Sequence, residues 1–569
     1  MNVFCKSFQV LAATALRGWL VAGAAAGSLL AQSGSLPANW QRAGSVTVSP
    51  DRPALTTKPG DALLIGGAGQ PYVLASTTGD FALSMDVLLT PGADLRLTLP
   101  VGAPISLANA RLSKAPGLWQ SVELRYRGLS WPGPASRGPA SRGAAERGPA
   151  LLERLVLNGV PISEGQALTG AANGNVALAV SNGSVAVRNV VYKPFAARDV
   201  VRWNGPLRYT IYEGENGRRA DLAGKKILKE GTVPAIDYDV TYGQPRRFSI
   251  VYTGELTALT AGEYQFDLHY GGIGGLAIDG QEVLPATYHD LGQPSVAKTK
   301  LTAGPHRVEV FFTRSWPRPG LGLFVSQADT RPQALHTLAS LPEPDPVGVI
   351  SVKADARPEL IRSFVQLPGE TKKRTHSLSV GTPTGMHYTL DLDQMALLQA
   401  WKGDFADVTE MWYERGEPQL LRPLGAAVPL APQSALTVLA NDGAAWPDSV
   451  DEHTLRYRGL LLGKDGLPTI RYTLAGSDVT DVIRPDGNAL VRTLTVTGNP
   501  TGTLYCRVAA GSSLEEVSKG LFAVNDRSYY VRLDPKLKVK RRESNGRQEL
   551  LIPVTLKNGS GSVQYALLF

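Results

Sequence analysis

Apolar and polar residues alternate with a period of two along much of this 569-residue chain. The clearest case is the sequence TAGEYQFDLHYGGIGGLAIDG at 260–280, where every second residue between 264 and 270 is large and apolar. This alternation predicts a half-buried β-strand. A glycine-rich turn at 271–275 and a second short strand at 276–278 are predicted to follow. The pair Asp279-Gly280 then predicts a hairpin turn.

Short alternating segments of the same kind recur on both sides of this stretch. They include 81–87 and 122–126 in the N-terminal part and 469–474 and 491–496 in the C-terminal part. The chain contains 60 Gly and 40 Pro, and segments with a helical period are scarce. Many short strands joined by glycine and proline turns indicate an all-β protein built from β-sandwiches.

The length exceeds what a single hydrophobic core supports, so three or four units are expected. Strand spacing places a first β-sandwich at 36–196. The sequence LPEPDPV at 341–347 reads as a stiff linker. A β-rich C-terminal domain, also interpreted as a large β-sandwich, is predicted at 351–569.

Residues 1–31 have the features of an export signal. Lys6 and Arg17 precede an apolar run at 18–31 that ends in small residues. No second segment reaches the roughly 18 apolar residues of a membrane-spanning helix. The predicted mature protein therefore lies outside the cytoplasm, either periplasmic or secreted, with no membrane span.

Charge and cysteine content narrow the partner classes. The formal net charge of +8 is spread along the chain, and its densest basic run is 536–542. This run fits an edge strand protected by lysines; a polyanion-binding strip is the alternative. It lacks the interleaved aromatic residues of nucleic-acid binders, so no nucleic-acid partner is predicted. Cys5 falls in the export signal, which leaves Cys506 without an intrachain disulfide partner.

The N-terminal region resembles a known family in three phrases, GDFALSMDVLL, GLWQSVELRYRG and RLVLNGVPISEG, followed by VAVRNVVYKPF. In this order they are similar to the concanavalin-type sandwich of the three-keto-disaccharide hydrolase family. The resemblance implies a glycoside-processing hydrolase. The segment that carries polar residues around the substrate in that family is here VGAPISLANARLSKAP, which contains no acid and no His. This departure favours binding over catalysis.

The low-complexity stretch 131–150 is predicted to be a mobile surface loop.

Residues 201–333 resemble the carbohydrate-binding domain first described in bacterial protective antigen, the PA-fourteen domain. The segment 260–280, LTAGPHRVEVFF and PGLGLFVSQ carry this resemblance. Family members that bind sugar through calcium use paired acids before the IDG strand, where this chain has glycines at 271–275. No calcium site is therefore expected there. Asp279 remains as a candidate sugar contact, or as a residue that caps its own hairpin turn. His306 is expected to order a turn.

The segment 379–425 resembles a phrase that recurs in large secreted bacterial proteins beside haem-bearing dehydrogenase or cytochrome modules. That resemblance implies a secreted redox protein as a partner. The chain has no C-x-x-C-H sequence, so no c-type haem of its own is predicted.

The same segment contains a cluster of aromatic and acidic residues. Its members are Trp401, Asp404, Asp407, Glu410, Trp412 and Glu414. An aromatic platform beside hydroxyl-accepting acids is typical of a sugar site. The alternatives are a core role for the tryptophans with acids capping turns, or acid–base hydrolysis by two suitably spaced carboxylates. We expect Trp401 to be buried and Trp412 to be more exposed.

The seven histidines show no short metal-binding spacing, so neither a metal site nor a cofactor is predicted. The sequence is best interpreted as an exported, multidomain, non-catalytic glycan-binding protein. A glycoside hydrolase acting through the first sandwich and a structural partner of a secreted dehydrogenase or cytochrome are the alternatives.

Overall fold

The computed structural model describes most of the chain after residue 35. The described ranges are 36–128, 149–170, 172, 174–291, 293–315, 320–341, 348–413, 419–441 and 443–569. The predicted export signal lies outside these ranges, as do residues 131–148 of the predicted loop and 342–347 of the predicted linker. The described chain is almost entirely β-structure, which confirms the predicted all-β class.

Eleven strands form the N-terminal sandwich. They are β1 (Trp40–Val48), β2 (Leu55–Gly67), β3 (Tyr72–Ser76), β4 (Asp80–Leu89), β5 (Asp94–Thr98), β6 (Ile105–Ser106), β7 (Trp119–Arg127), β8 (Leu151–Leu157), β9 (Val160–Ala167), β10 (Asn175–Asn182) and β11 (Ser184–Phe195). A seven-stranded sheet runs in the order β1-β2-β11-β4-β7-β8-β9, and a four-stranded sheet in the order β3-β10-β5-β6. Phe81 and Leu178, one from each sheet, are buried in the same core. Alternating apolar residues therefore close the two sheets over each other.

Eleven further strands form the central sandwich. They are β12 (Val201–Trp203), β13 (Leu207–Glu213), β14 (Ile227–Val233), β15 (Phe248–Ala258), β16 (Gly262–Tyr270), β17 (Gly272–Ile278), β18 (Gln281–His289), β19 (Ser295–Leu301), β20 (Gly304–Arg314), β21 (Leu321–Ser326) and β22 (Gln333–Ala334). Short 3-10 helices occur at Arg219–Leu222 and Tyr238–Thr241. One sheet runs β14-β13-β15-β20-β17-β18 with β12 beside β15, and the other runs β19-β16-β21-β22. Tyr252 and Phe266, from opposite sheets, share the core.

The predicted glycine-rich turn at 271–275 is wrong, because residues 272–275 belong to strand β17. Strand β16 pairs with β19 and β21, whereas β17 pairs with β18 and β20, so the chain changes sheets between them. A Cβ atom at Gly274 would lie 2.8 Å from the ring of Tyr270, so these glycines allow close packing. The hairpin turn is confirmed: Asp279 and Gly280 have φ angles of 52° and 80°. Positive φ at both central residues matches a two-residue hairpin turn.

Eighteen strands form the C-terminal sandwich. They are β23 (Ser351–Val352), β24 (Glu359–Gln366), β25 (Lys373–Gly381), β26 (Met386–Asp391), β27 (Ala396–Asp407), β28 (Arg422–Pro429), β29 (Leu436–Leu439), β30 (Leu455–Leu462), β31 (Pro468–Leu474), β32 (Ser477–Asp486), β33 (Ala489–Thr497), β34 (Thr503–Gly511), β35 (Leu514–Ser518), β36 (Leu521–Val524), β37 (Tyr529–Arg532), β38 (Lys540–Ser544), β39 (Arg547–Pro553) and β40 (Ser560–Leu568). A single helical turn, α1 (Thr409–Trp412), follows β27.

These strands form three sheets around one core. An eight-stranded sheet runs β30-β31-β32-β33-β40-β37-β36-β35. The strands β23-β27-β26-β25-β24, with β28 beside β27, make a second sheet, and β29-β34-β39-β38 make a third. Tyr388, Tyr472 and Leu550, one from each sheet, are buried in the same apolar cluster. The C-terminal region is therefore a large β-sandwich, in agreement with the sequence.

Arg331 and Arg527 are two of the arginines that connect the three sandwiches. Arg331 of the central sandwich donates from Nε to Asp80 Oδ2 (2.5 Å) and from Nη1 to Glu153 Oε2 (2.9 Å) in the N-terminal sandwich. Arg527 of the C-terminal sandwich donates from Nη1 to the carbonyl oxygen of Val48 at 3.0 Å. The N-terminal sandwich therefore contacts both of the others through buried polar groups.

Three smaller predictions concern the basic run 536–542, the cysteine Cys506 and membrane-spanning helices. The basic run 536–542 enters strand β38 only at Lys540, and β38 is the outer strand of its sheet. Cys506 is a buried free cysteine. None of the helices in the described part of the chain has the length and apolar character needed to cross a membrane.

Candidate functional site

Strand β27 carries the first residues of the predicted aromatic and acidic cluster. Trp401 is completely buried, as predicted, and its indole stacks parallel to Phe405 with ring centroids 5.8 Å apart. The indole Nε1 donates to the backbone oxygens of Asp404 (3.1 Å) and Phe405 (2.8 Å). Trp401 thus satisfies its polar atom inside the core and supports the strand that leads to α1.

The acids beyond Trp401 hold the first turn of α1 in place. Asp407 Oδ1 accepts hydrogen bonds from the backbone N (2.8 Å) and Oγ1 (2.6 Å) of Thr409, the first residue of the helix. Glu410 Oε1 accepts from Nε (2.7 Å) and Nη2 (2.5 Å) of Arg422 at the start of β28. A helix of four residues has little stability of its own, so these side chains determine its position.

The fixed helix presents an exposed aromatic pair. Trp412 ends α1 with 55% of its surface exposed, and the adjacent Tyr413 is 39% exposed. The expectation that Trp412 is more exposed than Trp401 is therefore confirmed. Glu414, the last member of the predicted cluster, lies outside the described residues. An open indole and phenol on a clamped support can stack on the apolar face of a sugar ring.

Asp404 faces a different neighbour. Its carboxylate forms an ion pair with Arg111 of the N-terminal sandwich, and 56% of the Asp404 side chain stays exposed. A carboxylate has several acceptor positions, so an arginine partner leaves room for a hydroxyl donor. The structure thus places Asp404, Asp407, Glu410 and Trp412 on one continuous strand-to-helix segment, where two of the acids serve the helix.

Asp279 lies apart from this segment, in the hairpin between β17 and β18. Its Oδ2 is 2.6 Å from Nδ1 of His306, and its Oδ1 accepts from the backbone N of Arg307 at 2.8 Å. His306 Nε2 is 2.9 Å from the carbonyl oxygen of Thr302. The hydrogen bond to Asp279 raises the pKa of His306, and the same bond lowers the pKa of Asp279. These contacts match a turn-capping role for Asp279 and the predicted turn-ordering role for His306.

The histidine within the segment 379–425, His387, is a core residue. His387 accepts from the backbone N of Thr382 at Nδ1 (3.0 Å), and its Nε2 lies 3.0 Å from the carbonyl oxygen of Gly403. Burial lowers the pKa of His387 to about 4, so the ring is neutral near pH 7. Within the described ranges, no three His, Cys, Asp or Glu side chains come together as metal ligands.

Two arginines that organise the site, Arg422 and Arg111, have no signature in the sequence. Arg422 is 12 residues from Glu410 in sequence, and Arg111 belongs to another sandwich. No local pattern encodes pairs of this kind. A third feature was visible in WQSVELRYR, where Glu123, Arg125 and Arg127 alternate with apolar residues on β7. That alternation places a row of charged side chains on the outer face of the seven-stranded sheet.

No family model and no curated protein matches the chain. Among solved structures, it is similar to a PA14 sugar-binding domain from an RTX adhesin, with 18% identity over 23% of this chain and 94% of that domain (TM-score 0.19). It is also similar to the Epithelial Adhesin 9 A domain from Candida glabrata in complex with Galb1-4GlcNAc, with 10% identity over 24% of this chain and 90% of that one (TM-score 0.18).

A third similar structure is a β-glucosidase from Kluyveromyces marxianus in complex with glucose. Identity is 18% over 21% of this chain, and the TM-score is 0.18. The chain spans only 16% of the length of that enzyme. The weak structural neighbours thus include a sugar-binding domain, an adhesin domain and part of a glycosidase.

Proposed function

We propose that this protein is an exported glycan-binding protein without a catalytic role. The observation that carries the proposal is the half-exposed indole of Trp412 on a helix fixed by Asp407 and Glu410. A sugar platform has to expose its ring without losing much conformational freedom on binding. A short helix whose first turn is held by two side chains meets this condition, because the position of Trp412 is set before the sugar binds.

We infer that the sugar is neutral. Tyr413, the next residue in the chain, extends the aromatic surface, and Asp404, earlier on the same segment, has an exposed carboxylate whose oxygens can accept hydroxyl donors. Sugar sites combine an apolar platform with a few such polar groups. Asp407 and Glu410 act indirectly in this proposal, by positioning the platform. Asp279 is assigned to its hairpin and is not part of the sugar site.

A hydrolase acting through the N-terminal sandwich receives less support. Glu153, an acid on the outer face of the seven-stranded sheet, is bonded to both Arg127 and Arg331. Burial alone would raise the pKa of Glu153, but the two guanidinium groups outweigh it and hold the pKa below its usual value. An ionised, doubly paired carboxylate is poorly suited to donate a proton to a glycosidic oxygen.

A glycan-array screen of the full mature chain tests the proposal. We expect the wild-type protein to bind a restricted set of glycans and the Trp412→Ala variant to lose those signals. Tyr457→Ala is the matched control, because Tyr457 is also a partly exposed aromatic residue of the C-terminal sandwich. Equal binding by Trp412→Ala and wild type would contradict the proposed site.

Export is part of the same proposal and has its own test. It rests on the charged start and apolar run of residues 1–31. Mass spectrometry of the periplasmic and extracellular fractions should find a mature chain that begins near Gln32. Recovery of the protein only in the cytoplasm, with Met1 retained, would contradict it.

A further inference from the structure

A row of side chains crosses the outer face of the seven-stranded sheet in the N-terminal sandwich. Direct register partners connect one residue from each of β11, β4, β7, β8 and β9: Lys193, Ala82, Arg125, Arg154 and Glu164. Residues directly opposite each other in an antiparallel pair place their Cβ atoms about 4.5–5.5 Å apart on the same face. Three cationic side chains therefore share one short row, with a single acid at its end.

The central cation of this row, Arg125, forms no direct ion pair within the described chain, although Glu153 and Glu123 attract it from nearby. Arg125 Nε is buried without a hydrogen-bond partner, and no carboxylate within the described ranges forms an ion pair with Arg125. Arg154 Nε is also buried and unbonded, although it lies 3.5 Å from Glu164 Oε1. Like charges directly opposite one another destabilise a sheet. The arrangement of Arg125 beside Arg154 is thus costly unless an anion joins it.

The two acids that attract Arg125, Glu153 and Glu123, do so without a direct ion pair. Glu153 is held by Arg127 at 2.5 Å and by Arg331 at 2.9 Å. Glu123 lies on the same face as Arg125, two residues earlier along β7, and forms no ion pair with it. Burial lowers the pKa of Arg125, and the same effect, followed by repulsion from Arg125, lowers the pKa of Lys193.

We propose that this row is an oxyanion-binding site in which Arg125, flanked by Lys193 and Arg154, binds a carboxylate or sulfate group. A guanidinium group has a planar set of donors that matches two oxygens of such an anion. Ala82, between Lys193 and Arg125, has only a methyl side chain, so no long side chain separates the two cations within the row. An acidic sugar would supply the anion and fits the proposed glycan binding, but the site is separate from Trp412.

Titration calorimetry on the full mature chain tests this inference with three probes: glucuronate, inorganic sulfate and glucose, at ionic strength matched with sodium chloride. We expect glucuronate to bind and glucose to show no heat at this site. Binding of both glucuronate and sulfate assigns a general oxyanion site. Binding of glucuronate alone assigns a sugar-borne carboxylate. Absence of binding by both anions would overturn the inference.

The Arg125→Gln variant provides the decisive comparison. We expect at least about tenfold weaker glucuronate binding, because a charge-assisted pair is lost. The melting temperature without ligand should stay equal or rise, since a half-buried guanidinium group without an ion pair is removed. The control is Arg208→Gln, which removes the same charge from an exposed arginine on β13 paired with Glu230.

Two further outcomes would contradict the inference. Unchanged glucuronate binding by Arg125→Gln would show that the anion binds elsewhere. A large drop in the melting temperature of Arg125→Gln would show that a partner within the chain already neutralises Arg125. Neither outcome bears on the Trp412 platform, because glycan binding by Trp412→Ala is measured independently.

Discussion

At the scale of single residues, the contact between His306 and Asp279 makes the stability of one hairpin depend on pH. Both ring nitrogens of His306 face acceptors, Asp279 Oδ2 and the carbonyl oxygen of Thr302, so the doubly protonated ring suits this position. The folded-state pKa of His306 is raised above its ordinary value of 6.5. Its stabilising contribution is therefore complete below about pH 6.5 and is lost as pH rises through the folded-state value.

The Asp279→Asn variant measures this contribution. Asparagine tolerates the left-handed backbone of Asp279 and keeps the acceptor for the backbone N of Arg307. We expect a loss of about 1 kcal/mol near pH 5.5, because solvent screens a half-exposed carboxylate. The difference from wild type should shrink at alkaline pH. Thermal unfolding at several pH values checks this, and a difference independent of pH would contradict it.

A second residue-scale prediction concerns Arg492 in the core of the C-terminal sandwich. Its Nη2 donates to Asp481 Oδ2 at 2.6 Å and to the carbonyl oxygen of Met395 at 3.0 Å. Arg492→Met should cost about 3–5 kcal/mol, because it leaves a buried carboxylate unpaired. The double variant Arg492→Met/Asp481→Leu should recover most of that loss in urea unfolding. A single variant as stable as wild type would show that the pair is not needed.

At the scale of elements, strand β17 shows why glycine is required within a strand. The Cβ atom of an alanine at position 274 would lie 2.8 Å from ring atoms of the fully buried Tyr270. Gly274→Ala should therefore lower the stability by about 1–3 kcal/mol, the usual cost of overpacking. Gly348→Ala is the control, because no atom lies within 4 Å of its added Cβ. Equal denaturant midpoints for the two variants would contradict this account of β17.

The same strand shows what the sequence could and could not predict. Alternation in β16 and the Asp279-Gly280 turn are local signals, and both elements form where the sequence places them. The glycines of β17 carry the same local signal as a turn. Their role depends on Tyr270 and on a change of sheet, which are tertiary features. Likewise, apolar spacing predicted the burial of Trp401, and charged neighbours in the sequence predicted the exposure of Trp412. The Glu410–Arg422 pair has no sequence signature.

At the scale of the whole molecule, Arg331 is the main polar connection between the N-terminal and central sandwiches. Its contacts to Asp80 and Glu153 are largely buried. Arg331→Met should cost roughly 3–5 kcal/mol, because two acids lose their shared partner. Arg198→Met is the control, since the Arg198–Asp329 pair is exposed and should contribute at most about 1 kcal/mol.

Calorimetry and small-angle scattering together check this connection. We expect Arg331→Met to split the unfolding transition and to increase the radius of gyration, because the two sandwiches separate. Arg198→Met should leave both measurements close to wild type. A single unchanged transition for Arg331→Met would show that the apolar contacts alone hold this interface.

The central claim is that Trp412 binds a glycan from a fixed helix. The most direct measurement is a titration of the best array ligand into wild-type, Trp412→Ala and Tyr457→Ala proteins, with the melting temperature of each recorded beside it. The account predicts that Trp412→Ala weakens binding by about tenfold or more while its melting temperature stays near that of wild type, since an exposed anchor contributes to the ligand contact rather than to the core. Unchanged affinity in Trp412→Ala, with unchanged melting, would contradict the claim.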